Sequence, residues 1–136
     1  MTDRDAHVQG LLRLVEPAEK PRFKRWSATP KGREKLLKAM LHGMVLDPRL
    51  CVEPPKGSRS KENLLKLMRQ HGAPTRCYII SSDGYLDDTF QDLEQIIFNE
   101  LGNFWHGTLI SSVPGKLAFY RTAGMNNRHL ICYRPD

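Results

Sequence analysis

RCYIISS, residues 76–82, decides how the rest of the chain is read. Cys77, Tyr78, Ile79 and Ile80 form a short unbroken run of β-favouring side chains. His71-Gly72 and Pro74 precede it, a helix stop in which glycine takes the left-handed conformation at little cost. A run this short between turn residues predicts a buried strand. Further on, Asp88 with Gln91 three residues later has the form of a capping box. Phe90, Leu93, Ile97 and Leu101 then recur at helical spacing as far as Gly102, which predicts a helix starting at Asp88. Three more β-type segments follow at 108–113, 116–122 and 128–134. Pro114-Gly115 joins the first two, with glycine suited to the positive φ of a type II turn. The segment AGMNN, residues 123–127, is the second turn.

The C-terminal half is therefore expected to run β-α-β-β-β. A helix in the first crossover would make its two strands parallel, with a right-handed connection, and the last three strands an antiparallel meander. Upstream, Ser60 caps a helix carrying Leu64, Leu65 and Met68. Thr29 and Pro30 open another, with Leu36, Leu37, Met40, Leu41 and Met44 on one stripe. Leu50-Cys51-Val52 adds a short edge strand. Val8, Leu11, Leu12 and Val15 predict a short first helix closed by Pro17, and EKPRFKRW, residues 19–26, reads as an extended connector. The fold expected is α+β: a mixed sheet of roughly four strands packed with about four helices. All 136 residues form a single domain, with residues 1–28 as a loosely packed arm.

No apolar run approaches the roughly 18 residues that span a bilayer, so no membrane partner is expected. The opening residues lack the apolar core of a secretory signal. Cys51, Cys77 and Cys132, odd in number and in unrelated contexts, read as reduced thiols, and the location expected is cytoplasmic.

The net charge is +6, but its distribution is more informative. From Lys20 to Lys38 the chain carries eight cationic side chains against one acid, Glu34. From Asp83 to Asn103 it carries six acids and no Lys or Arg. If the two blocks faced each other, much of the basic surface would be neutralised.

Three features are candidates for chemistry. The loop KGSRSKEN, residues 56–63, leads into a helix N-terminus, where free N–H groups favour anions. Lys56, Arg59 and Lys61 add counter-charge, although the phosphate-binding G-x-x-x-x-G-K-[ST] pattern is absent. SSDGYLDDT, residues 81–89, places Asp83, Asp87 and Asp88 after a strand, the right ligand type for a hard cation, and equally ordinary turn and cap residues. In the strands, Tyr78, Tyr120, His129 and Tyr133 are candidates to line one open sheet face and stack bases; several helices also need a sheet to cover, which favours half-buried core for the tyrosines. His7, His42, His71, His106 and His129 show no metal-ligand spacing, so neither metal nor cofactor is expected. Trp105 is expected to plug the junction between helix and sheet.

The leading expectation is a non-enzymatic binding module for a nucleic acid or another acidic partner. It would act through Lys24, Arg25, Lys31 and Lys35 together with Lys56, Arg59 and Lys61. One alternative is a small phosphodiester hydrolase or nuclease using His106 or His129 with a carboxylate, or the Asp83/Asp87/Asp88 loop with a metal. Another is an interaction subunit that completes an assembly or homodimer.

Overall fold

The computed structural model describes residues 2–42, 45–54, 60–100, 105–124 and 128–135. Its centre is a six-stranded sheet. The strands are β1 (Cys51–Val52), β2 (Arg76–Ser81), β3 (Thr89–Asp92), β4 (Thr108–Val113), β5 (Leu117–Arg121) and β6 (His129–Tyr133). They lie in the order β1-β6-β5-β4-β2-β3, and every neighbouring pair is antiparallel. Five α-helices cover the sheet: α1 (Asp3–Leu14), α2 (Lys20–Trp26), α3 (Pro30–His42), α4 (Lys61–Gln70) and α5 (Leu93–Glu100).

Alternation along the strands divides the core in two. Tyr78, Ile80, Leu109, Ala118, Tyr120, Leu130 and Cys132 face α1, α2 and α3. Cys77, Ile79, Ile110, Leu117, Phe119 and Ile131 face α4 and α5. The result is a three-layer arrangement, helices–sheet–helices. Both sides of β2 are covered, which is why its sequence is a continuous apolar run rather than an alternation with polar residues.

The α+β class and the four main strands expected from sequence are present, the edge strand expected at Leu50-Cys51-Val52 is β1, and β3 is the addition. The mixed sheet is corrected to an antiparallel one, because the stretch after residue 82 does not enter a helix at Asp88. Asp88 has φ +61, in the left-handed region, and Thr89–Asp92 turns back along β2, pairing Phe90 with Tyr78 and Asp92 with Arg76. The helix starts one turn later, where Asp92 Oδ1 accepts the Gln95 N–H at 3.0 Å. This extra hairpin reverses the chain once more and sets β4 antiparallel to β2. The parallel relation passes to β3 and β4, which are not neighbours.

The N-terminal region also differs from the expected loose arm. Val8, Leu11, Leu14 and Val15 are buried, and EKPRFKRW is helical rather than extended, with Phe23 fully buried. Pro21 does not prevent the helix because it occupies the first turn, where its missing N–H is not needed. The remaining caps agree with sequence. Thr29 Oγ1 accepts the Gly32 N–H, Ser60 Oγ accepts the Asn63 N–H, and Gly72 and Gly115 both have positive φ. Met44, Leu101, Gly102, residues 125–127 and the side chains of Met40 and Leu41 lie outside the described residues. Cys77 and Cys132 are buried free thiols, while Cys51 is half-buried opposite Cys132 in the ladder. No helix among the described residues is long and apolar enough to cross a membrane.

Candidate functional site

The basic block forms α2 and α3. In α2, Phe23 and Trp26 turn inward and pack ring edge to ring face at 5.3 Å, which leaves Lys24 and Arg25 exposed. In α3, Gly32 and Leu36 are buried. Lys31, Lys35 and Lys38, at spacings of four and three, fall within an arc of about 60°, centred roughly 110° around the helix from Gly32 and Leu36, given 3.6 residues per turn. All three are exposed. The two helices are held close at Gly32, where an added Cβ would stand 2.7 Å from Trp26 Cα.

Little of this charge is neutralised. Arg22 pairs with Glu19 and also stacks over the Trp26 ring, with 4.8 Å between the guanidinium carbon and the ring centroid. Arg33 pairs with Asp87. Lys24, Arg25, Lys31, Lys35 and Lys38 have no ion pair among the described residues. Among the described residues the basic and acidic blocks thus meet in one ion pair, Arg33 with Asp87, and five exposed cations remain.

The acidic loop is occupied by the fold itself. Asp87 accepts two bonds from Arg33, Nε at 3.0 Å and Nη2 at 2.9 Å, and a third from the Ser81 N–H at 3.0 Å. Asp88 Oδ1 accepts from Arg4 Nε at 2.6 Å and from the Tyr78 hydroxyl at 2.5 Å. Burial, then the bond to Asp88, pushes the Tyr78 hydroxyl up to about 12. Burial works against the ionised Asp88, but the bonds from Tyr78 and Arg4 outweigh it and hold the carboxyl below the usual range. Asp83 Oδ1 accepts the Tyr85 N–H. Among the described residues no three His, Cys, Asp or Glu side chains gather as metal ligands. Asp83, Asp87 and Asp88 serve instead to shape the turn between β2 and β3.

The two histidines of the hydrolase alternative sit in different settings. His106 Nδ1 lies 3.1 Å from Ser82 Oγ, and His129 is buried on β6 against the Phe119 ring. His129 does belong to a polar row that runs across the sheet through register partners: Ser81, Thr108, Arg121, His129. All four are buried, and Arg121, at 0% exposure, donates from Nη2 to the His106 carbonyl at 2.9 Å. Sequence reasoning missed Arg121 because an arginine at the end of a strand ordinarily reads as surface.

The four ring candidates for one open sheet face are divided between two covered ones, in keeping with the core reading favoured for the tyrosines. Tyr78 and Tyr120 are fully buried beneath α1–α3. His129 and Tyr133 lie on the α4–α5 side, Tyr133 half-buried with its ring 4.2 Å from that of His71. The sheet therefore offers no open aromatic face at these positions. Exposed aromatics stand elsewhere: Tyr85 is 95% and Trp105 85% exposed, which corrects the buried plug expected of Trp105. Their segments are tied together, since the Ser82 N–H donates to the Gly107 carbonyl and the Gly107 N–H to Ser82 Oγ. Of the second basic group, Lys56 and Arg59 lie outside the described residues. Lys61 sits on the α4–α5 side with Nζ 3.4 Å from the Phe98 ring centroid, so the sheet separates it from α2 and α3.

Compared with known proteins, the chain matches no family model, no curated protein and no solved structure.

Proposed function

We propose that the chain is a binding module for single-stranded nucleic acid, engaged through the outer surface of α2 and α3. The observation that carries this reading is the set of five exposed cations, Lys24, Arg25, Lys31, Lys35 and Lys38, left without an ion pair among the described residues. An array of this kind neutralises successive phosphates and releases their counterions. The single-stranded form is favoured over the duplex because Tyr85 and Trp105 supply exposed ring faces on which unpaired bases stack. The turn that carries Tyr85 is tied to α3 through Arg33 and Asp87, on the side of the helix away from Lys31, Lys35 and Lys38, so a strand that meets both the lysines and the rings passes around α3.

Fluorescence anisotropy with a labelled 20-nucleotide single strand, and with the matching duplex, tests the proposal. If all five cations engage phosphate, the slope of log affinity against log salt is about −3.5 at ~0.7 per contact on a single strand. Affinity then falls about a hundredfold between 50 and 200 mM salt. The triple variant Lys31→Gln, Lys35→Gln, Lys38→Gln reduces the slope by about 2. No binding at 50 mM salt, or a triple variant that binds as the wild type does, overturns the proposal.

A further inference from the structure

On the α4–α5 side, a groove of about 680 Å³ opens between α4 and the β1–β6 end of the sheet. Its origin lies in the sequence of α4. Leu64, Leu65 and Met68 enter the core, while Leu67 and His71, four residues apart, share a neighbouring stripe, and Lys66 borders the groove from farther round the helix. The sheet contributes Val52, Ile131 and Tyr133 to the opposite wall. Val52 is 67% exposed, and the His71 and Tyr133 rings close the space between helix and strand.

We propose that this groove binds a small organic anion with a flat apolar body, of the aromatic carboxylate class. The volume falls in the usual range for small-molecule sites, and a predominantly apolar lining with a few polar groups is their common composition. Charge selects the anion. Arg49 and Lys66 line the groove, and no carboxylate does so among the described residues. Arg49 is bound to Asp47. Lys66 has no ion pair among the described residues and is the group that meets the ligand's charge. This site is separate from the α2–α3 surface, which lies across the sheet.

Two probes with the same body separate charge from shape: naphthalene-2-carboxylate and the uncharged naphthalene-2-carboxamide, titrated into the full chain by NMR. The carboxylate is expected to shift backbone amides at Val52, Leu67, Ile131 and Tyr133 with one-to-one saturation, and to bind about tenfold more tightly than the amide. Lys66→Gln removes that difference and leaves amide binding unchanged. Val52→Asp, at a position exposed enough to keep the fold, weakens the carboxylate at least tenfold. Equal affinity for the two probes overturns the proposal. So do shifts that map to α2 and α3 instead, or a Val52→Asp variant that binds as the wild type does.

Discussion

Replacing Gly10 by alanine should destabilise the chain, although the same change in an exposed helix interior stabilises by about 0.5–1 kcal/mol. Gly10 lies in the middle of α1, where the helix crosses the β4–β5 turn. A Cβ there would stand 2.9 Å from the Pro114 carbonyl carbon and 3.1 Å from Gly115 Cα, and closer still to the Gly115 nitrogen. Ordinary carbon contacts begin at roughly 3.5 Å. The obstructing atoms are all backbone, so no side chain can swing aside. Gly115 cannot yield easily either: its φ is +71, and it packs against the Arg13 side chain. The relief available is to lift α1 away from the turn by roughly 0.5–1 Å, a gap that forfeits a quarter to a half of each dispersion contact it opens. Overpacking of this kind costs about 1–3 kcal/mol, and the gain in helix propensity offsets only part of it. The net expectation is a loss of about 1–2 kcal/mol. Urea unfolding followed by circular dichroism would show it as a midpoint lowered by about 1 M, for a slope of ~1–2 kcal/mol/M. Gln9→Ala, at the exposed neighbouring position, should stay within about 0.5 kcal/mol of wild type and serves as the control. A Gly10→Ala midpoint equal to or above wild type would refute the close crossing of α1 over the turn.

Stability should also rise with pH across the histidine range. Burial, opposed by the charge of Asp3 and aided by that of Arg76, lowers the His7 pKa; the ring stacks on Tyr78 with Nδ1 2.7 Å from Ser111 Oγ. A base with a depressed native pKa takes up its proton on unfolding, so stability is lost as pH falls below the unfolded value of about 6.5. His7→Phe should flatten the unfolding free energy between pH 5 and 7, measured by urea titration at each pH, and an unchanged slope would remove His7 as its source. Acid loss through Asp88, whose pKa is also depressed, belongs to a separate window below about pH 4. Arg33→Gln should cost about 2–3 kcal/mol, since it leaves the mostly buried Asp87 without its cation. Adding Asp87→Asn should recover part of that loss, and a double-mutant cycle with no coupling would count against the ion pair.

Helices α3 and α4 and strands β2, β4, β5 and β6 were legible because periodicity and caps agreed at each. Helix α2 and strand β3 were not, for a physical reason in each case. The prolines before Phe23 suggest extended chain by composition, but at a first helical turn they cost nothing. Thr89–Asp92 is too short to show an alternation, and Asp88 with Gln91 imitates a cap that Asp92 with Gln95 performs four residues later. Alternation correctly separated Leu117 and Phe119 from Ala118 and Tyr120 within β5, yet it carries no information about phase between strands. A shift of one residue in register moves a whole strand's side chains to the other face. Pairing Tyr120 with Leu130 puts His129 and Tyr133 opposite the buried tyrosines, and no pattern within β6 alone contains that fact.

Charge was legible in amount but not in pairing. The acidic stretch after β2 has one local task, which is to hold a seven-residue turn whose last residue is left-handed. Asp87 and Asp88 carry it out with Arg33 from α3 and Arg4 from α1, two arginines far away in sequence. Because the turn draws on those two guanidiniums, it consumes a single cation of the Lys20–Lys38 block. Had the acids instead faced the lysine stripe of α3, the same composition would have produced a neutral surface. The side of α3 from which Arg33 projects is opposite to that of Lys31, Lys35 and Lys38, as helical periodicity requires of a residue two positions from its neighbours on either side. The contact that secures the turn therefore holds the lysine stripe outward, and the anion-binding capacity proposed for α2 and α3 depends on that separation. The two can be tested apart. Gln at position 33 should lower stability while leaving the salt dependence of nucleic-acid binding intact at a temperature where the variant is folded, and a collapse of that dependence would show that Arg33 itself belongs to the binding surface.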